Sequence, residues 1–302
     1  MECIYVHGVT ALKERFRAAI HLNNYEGTSV MQTFSISPLQ MVVSLWKNRQ
    51  LASMMVKREI AGKYRGSFMG IFWSLLTPIF MLMVYTFVFG IVFKSRWNAG
   101  SYSNTEFAMV LFVGLMVFNL FAECINRAST LIISNVNYVK KVIFPLEILP
   151  VVALGSALFN LLVSFVVWLA FYLVLFGLPK VTIFLFPLLL MPLLMLILGL
   201  SWFLASLGVF VRDVSQFINI VTTALMFLSP IFYPVSAVPE KFHPLMYMNP
   251  ITPVVEQVRG ALLWGTAPDW GSFIGTLLVT LLIAWLGFAW FQKTRKGFAD
   301  VI

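Results

Sequence analysis

Glu123 and Arg127 lie four residues apart at the end of an apolar run, on one face of any helix that holds them, so each can neutralise the other. Ionisable groups inside an apolar helix are candidates for function by default, because hydrocarbon gives a charge no solvent. The plainer reading, preferred here, is an ion pair that ends the helix at the membrane surface. Glu256 and Arg259 form a similar local pair, and Glu147 follows Pro145 where a carboxylate suits the positive end of a helix. Hydrolytic acid/base work needs two convergent carboxylates, and ATP hydrolysis needs a GxxxxGK(S/T) loop to cradle phosphate. The acids here lie mostly in loops or at the ends of apolar runs, and Gly62-Lys63 runs into Tyr64 without the upstream glycine. His7, His21 and His243 are scattered singly, and Cys3 and Cys124 neither pair nor cluster, so no catalytic residue and no metal site is expected.

Aromatic side chains offer a different chemistry. They make up 16% of the chain and recur inside the apolar runs, not only at the ends where interfacial belts sit. Phe72, Trp73, Tyr85, Phe87, Phe89 and Phe93 fall in the first run, Phe112, Phe118 and Phe121 in the second, and Phe227, Phe232 and Tyr233 in the fifth. Sugar rings present C–H faces that stack on aromatic planes while their edges slide past without reading sequence. These residues are therefore candidates to line a path for a sugar polymer; the competing reading, which must hold for most of them, is packing or lipid contact.

The elements that must position these groups follow from composition. Of 302 residues, 60% are hydrophobic and 11% charged, and the mean hydropathy is +0.89, far from the balance of a water-soluble domain. Crossing a hydrocarbon core of roughly 30 Å takes about 20 apolar residues as helix, the only open-chain structure that satisfies its own backbone there. Six runs are predicted to cross, near Ile71 to Phe93, Phe107 to Ile125, Leu146 to Phe176, Val181 to Phe210, Phe217 to Tyr233 and Phe273 to Phe291. The net charge of +9 collects beside them and not on a nucleic-acid-binding module. With the N-terminus inside, Lys47, Arg49, Lys57, Arg58, Lys63, Arg65, Arg127, Lys140, Lys141, Arg212, Lys293, Arg295 and Lys296 all face inward. Outside lie only Lys94, Arg96, Lys180, Lys241 and Arg259, so both termini are expected in the cytoplasm.

Between Ser37 and Gly70, apolar residues at three- and four-residue steps alternate with bases, the pattern of an amphipathic helix lying in the membrane interface; the alternative is a helix packed on the protein. Residues 1–30 are expected to form a weakly ordered extension, 31–70 the interface helix and 71–302 a single all-α membrane domain. The turns at Gly177 to Lys180 and at Arg212-Asp213 predict hairpins between spans three and four and between spans four and five. The proline-rich stretch from Pro234 to Gly271 stays semi-apolar, which suggests short helices re-entering the outer leaflet beside a cavity. No pair of matched broken halves, the mark of many secondary carriers, is evident.

Several of these motifs resemble one family. The stretch from Lys57 to Pro78, KREIAGKYRGSFMGIFWSLLTP, is similar to the lead into the first span of ABC-2 type permeases of polysaccharide exporters. Phe210-Val-Arg-Asp-Val-Ser-Gln216 resembles their inner turn. Ser229-Pro-Ile-Phe-Tyr-Pro234, Val238-Pro-Glu-Lys-Phe242, Asn249-Pro250 and Glu256-Gln-Val-Arg-Gly-Ala-Leu-Leu263 resemble their outer gate, and the likeness runs from Met31 to Ile302. It implies a homodimeric six-helix permease in a bacterial inner membrane, working with two nucleotide-binding subunits that hold ATP and magnesium, and exporting O-antigen, capsule or teichoic-acid chains on a lipid carrier. This chain would bind no cofactor itself. The resemblance assigns coupling to the partner subunit to Lys57, Arg58, Glu59, Lys63, Tyr64 and Arg65 and to Asn135, Asn137, Tyr138, Lys140 and Lys141. An outer gate would involve Pro230, Pro234, Glu256 and Arg259, with a channel between protomers lined by spans one, two and five. An ABC-2 exporter of drugs or small lipids is the alternative; a membrane glycosyl- or acyltransferase and an ion-coupled carrier are disfavoured for want of convergent acids or histidines.

Overall fold

A computed structural model describes residues 36–65, 69–92, 104–139, 144–211 and 213–301. The expected extension at 1–30, together with Phe93, Lys140 and Lys141, falls outside the described residues. Among those described, the secondary structure is helical and contains no strand.

Two helices precede the apolar runs, α1 (Pro38–Lys47) and α2 (Arg49–Lys63). The continuous interface helix expected from the sequence is thus broken, at Asn48, whose side-chain amide turns back to donate to the Ser44 carbonyl at 2.8 Å. The halves also differ in what they touch. Along α1, Leu39, Val42, Val43 and Trp46 are exposed, as an interfacial helix requires. α2 instead packs on the protein through buried Met55 and through Val56, which reaches 2.6 Å from where a Cβ on Gly155 would stand.

The apolar runs become α3 (Phe72–Tyr85, continued as a π-helix over Thr86–Val92), α4 (Asn104–Ala128), α5 (Leu149–Phe176), α6 (Met191–Phe210), α7 (Val214–Leu228) and α10 (Trp270–Thr294). Between the last two lie the short α8 (His243–Met248) and α9 (Ile251–Arg259). Among the described residues, five helical segments are long and apolar enough to cross a membrane: Phe72–Phe89, Thr105–Ala128, Leu146–Phe176, Val181–Phe210 and Trp270–Gly297. The sixth predicted span, Phe217 to Tyr233, is shorter than expected. Its helix α7 has 15 residues, a rise of about 22 Å, and stops at Ser229 in extended backbone.

α4 is the axis of the fold. From Phe107 to Phe118 it is buried without interruption, and α5, α6, α7 and α9 all pack around it. α6 lies most closely against α10 and less against its chain neighbours α5 and α7, so the expected hairpins are the weaker contacts. Small residues explain the choice. A Cβ on Gly199 would stand 2.6 Å from the Ile283 carbonyl, and one on Gly287 would stand 2.9 Å from the Gly199 Cα and closer still to its oxygen. Without a hydrophobic drive between helices in lipid, such close backbone approach supplies the van der Waals energy that holds them. Trp202 then fills the flank edge-on to Phe288, with ring centroids 5.2 Å apart.

Replacing Gly287 by Leu should therefore separate α6 from α10 and cost about 1–3 kcal/mol or more, visible as a lowered melting temperature in detergent. A Cβ on Gly275 of the same helix would meet nothing within 4 Å, so Gly275→Leu should leave the melting temperature unchanged.

Candidate functional site

At the C-terminal end of α4 the charges do not pair along their own helix, as the sequence suggested. Glu123 instead binds the Lys63 ammonium at 3.0 Å, and Arg127 binds the Glu59 carboxylate. Glu59 and Lys63 are themselves four apart on α2, so two antiparallel helices present matched rungs and form a crossed ladder. Geometry selects this: partners on facing helices meet head-on, while an i,i+4 pair must lean along one surface. The rungs are one-quarter to one-half exposed, so each contributes no more than about 1 kcal/mol to stability. Their effect is to fix how α2 sits on α4.

Beside the ladder, Arg58 donates to the Tyr138 hydroxyl, and Tyr138 stacks on Phe144 at 4.4 Å. The segment 133–139 is thereby tied to α2. Asn135 donates to the Leu131 carbonyl at 2.9 Å, ending the preceding turn, while Lys57, Arg65 and Asn137 are exposed. A second knot lies nearby. Glu147 receives Ser44 of α1 at 2.8 Å and Arg295, beyond the C-terminus of α10, at 2.7 Å, while its carbonyl accepts from the Trp202 indole at 3.0 Å. Glu147 is thus an ion-pair partner and not only a helix-start charge. The two knots hold α1, α2, the start of α5 and the end of α10 together at one end of the bundle.

Above the ladder a cavity of about 490 Å³ opens between α3, α4 and α5. Its polar groups come in helical register: Asn119, Glu123 and Asn126 on α4, Asn160 and Ser164 on α5, and Ser74 and Thr77 on α3, with Lys63, Tyr64 and Trp73 on the rim. Asn160 donates its amide to both Glu123 oxygens, at 2.9 and 2.8 Å. Thr222 of α7 donates to the Asn126 carbonyl oxygen at 2.7 Å. Asn119, Asn126, Asn160 and Thr222 escaped the sequence reading, which weighed ionisable and aromatic residues inside the apolar runs but not neutral polar ones. The signal was there: polar residues at positions i, i+4 and i+7 of an apolar helix share one face.

At the opposite end of α4, Arg259 of α9 is fully buried. Its guanidinium donates to the carbonyl oxygens of Val110 at 3.1 Å, Ile231 at 2.7 Å and Pro230, and it pairs with Glu256 at 3.2 Å. Gly114 makes room, since a Cβ there would stand 3.0 Å from Arg259 Cζ. Burial pushes the guanidinium down to about 10, against the opposing pull of Glu256, so it stays charged at neutral pH. Burial likewise raises the Glu256 carboxyl above its ordinary range, opposed by Arg259. Pro230 is buried and Pro234 half-buried here, and Asn249 donates to Ser229 at 2.8 Å. Of the four outer-gate residues named from sequence, Pro230, Glu256 and Arg259 thus meet in one cluster.

The aromatic candidates divide. Phe112, Phe118 and Phe121 are 5%, 2% and 3% exposed, so they belong to the core around α4 and offer no surface to a path between protomers. Phe72, Trp73, Phe87 and Phe227 are exposed. Tyr85 is half-buried; Phe89 lies 6.2 Å from Phe232, and Phe232 stacks on Phe227 at 5.5 Å. Tyr233 donates to the Phe227 carbonyl at 2.7 Å, which ties the chain after α7 back to its last turn.

Residues 50–263 match the ABC-2 type transporter family. The chain belongs to that family. It is a multi-pass membrane protein of a class of transporters that work with an ATP-binding subunit. Its relatives include the O-antigen export system permease protein RfbA of Myxococcus xanthus, 26% identical over 266 residues, 87% of this chain and 100% of that one. The protein of the same name from Klebsiella pneumoniae is 23% identical over 266 residues, 87% of this chain and 99% of its own. The polysialic acid transport protein KpsM of Escherichia coli is 23% identical over 250 residues, covering 80% and 92% of the two chains. In this ABC-2 chain the crossed ladder lies within the matched residues, as do the Arg259 knot and the polar cavity.

Two substitutions separate the roles of its charges. Arg259→Met strands the carbonyls of Pro230 and Ile231 and leaves Glu256 without its cation, and should cost roughly 3–5 kcal/mol, read as thermal stability of the purified chain. Lys63→Glu should weaken the seat of α2 by about 1 kcal/mol, and adding Glu123→Lys should recover most of that loss in a double-mutant cycle.

Proposed function

We propose that this chain is the membrane-spanning permease subunit of an ATP-driven exporter that carries a lipid-linked polysaccharide, of O-antigen or capsule kind, across a bacterial inner membrane. The observation that carries the proposal is the similarity to an O-antigen export permease over that relative's full length. Two copies of the chain would enclose the path, with the exposed Phe72, Trp73, Phe87 and Phe227 facing it and Phe232 and Tyr233 behind them. Two ATP-binding subunits, holding ATP and magnesium, would dock at the end of the bundle that carries α2 and residues 133–139. Both termini of the permease would be cytoplasmic, in keeping with the distribution of lysine and arginine.

The arrangement at that end supports the mechanism. A push on α2 or on Tyr138 reaches α4 through the Glu59–Arg127 and Lys63–Glu123 rungs, and α4 in turn packs against α3, α5, α6, α7 and α9. The docking end therefore bears directly on the helix around which the membrane domain is packed. Arg259 keeps the far end of α4 joined to the chain after α7, where an outer gate would lie.

ATP turnover should be absent with the purified chain alone and appear when the ATP-binding subunit is added. Arg58→Glu, which breaks the tie to Tyr138, should reduce that turnover several-fold without lowering the melting temperature of the chain. Turnover by the chain alone, or deletion of its gene with no loss of surface polysaccharide, would refute the proposal.

A further inference from the structure

The cavity between α3, α4 and α5 contains polar groups that the protein does not use. Asn119 is the one exposed residue of α4 between Thr105 and Ala128, and its amide has no hydrogen-bond partner among the described residues. Asn126 meets the Thr222 hydroxyl through one atom of its amide, at 2.7 Å, and the other atom has no partner among the described residues. Asn160 gives its nitrogen to Glu123 and keeps its oxygen unengaged. Amides that face a cavity between otherwise apolar helices take their partners from whatever occupies that cavity.

What fills them is constrained by charge and shape. Lys63 and Glu123 neutralise each other at the rim, so the cavity offers no net charge to a phosphate, which prefers free cations. An acyl chain would leave the amides unsatisfied. A sugar hydroxyl both donates and accepts, as the amide of asparagine does, and each can answer the other. Trp73 supplies an apolar plane on one wall for the C–H face of a pyranose ring. At about 490 Å³ the cavity is within the roughly 300–1,000 Å³ of small-molecule sites.

We propose that the cavity is a saccharide subsite within a single protomer, where Asn119, Asn126 and Asn160 hydrogen-bond sugar hydroxyls and Trp73 stacks on the ring. The proposal rests on the exporter reading and adds to it a place where the polymer is held to one side of the path between the two copies. Such a subsite retains a segment of chain by neutral contacts, which can be exchanged for those of the next sugar as the polymer advances. The adjoining ladder then gives α2 a route to the same helix face, because Glu123 belongs to both.

The test replaces Ser164, and separately Asn119, by the photo-crosslinking residue p-benzoylphenylalanine in the full chain, produced in its native cells with its ATP-binding partner. Exposed Leu278 on α10 serves as the control position. Irradiation during export should give adducts at 164 or 119 that stain for carbohydrate, and none at 278. In parallel, Asn119→Leu should lower export about tenfold, the weight of one lost polar contact, while Asn119→Gln restores most of it. Because Asn119 has no partner among the described residues, its leucine variant should keep the abundance and melting temperature of the parent, which a structural role would not allow. Adducts carrying only phospholipid, adducts absent while export runs, or unchanged export by Asn119→Leu would overturn the subsite and leave the exporter reading standing. Unchanged surface polysaccharide after deletion of the whole gene would remove the exporter reading, and the subsite with it.

Discussion

Hydrocarbon offers a backbone carbonyl nothing to bond with, and two carbonyls of the turn that follows α7 are answered by one side chain. Arg259 takes those of Pro230 and Ile231, adds that of Val110 on α4, and retains its charge through Glu256. With that guanidinium in place, α7 can end after 15 residues and the chain can turn back through α8 and α9 within the protein. Gly114 is a consequence of the same constraint: the guanidinium lies against the α4 backbone, where any larger residue would displace it.

The other end of the bundle solves a different problem with the same means. Long polar side chains there find their partners on other elements: Glu123 with Lys63 and Asn160, Arg127 with Glu59, Glu147 with Ser44 and Arg295. These contacts contribute little to stability individually where they are partly exposed. They are worth more as registration, because a shift of α2 by one residue would break both rungs at once. Close packing of Gly199 and Gly287 does for α6 and α10 what charge does for α2 and α4. The bundle is therefore held by two kinds of specificity, steric on one flank and electrostatic on the other.

These arrangements bring the function to α4. It carries the buried core, the ladder, one wall of the polar cavity and an acceptor for Arg259, so both ends of the bundle make contact with this one helix. For a transporter driven from one side of a membrane, that placement matters more than the identity of any single residue.

The sequence by itself determined the all-helical membrane class, the order and approximate limits of the apolar helices, and the family to which the chain belongs. Those are local properties: 20 apolar residues can only be helix in lipid, and short motifs keep their residue types. The proline-rich stretch before α10 was also legible as short helices, since prolines mark helix starts at Pro244 and beside Ile251. The partners were decided by tertiary structure alone. Spacing put Glu123 and Arg127 on one face, but which helix would lie opposite was not written in spacing, and α2 took both charges. Phe112, Phe118 and Phe121 looked no different in sequence from Phe72 and Phe87, yet the first three are core and the last two exposed. A helix that is apolar all round carries no mark of which side will meet protein and which will meet lipid, so burial there is settled only when the bundle closes.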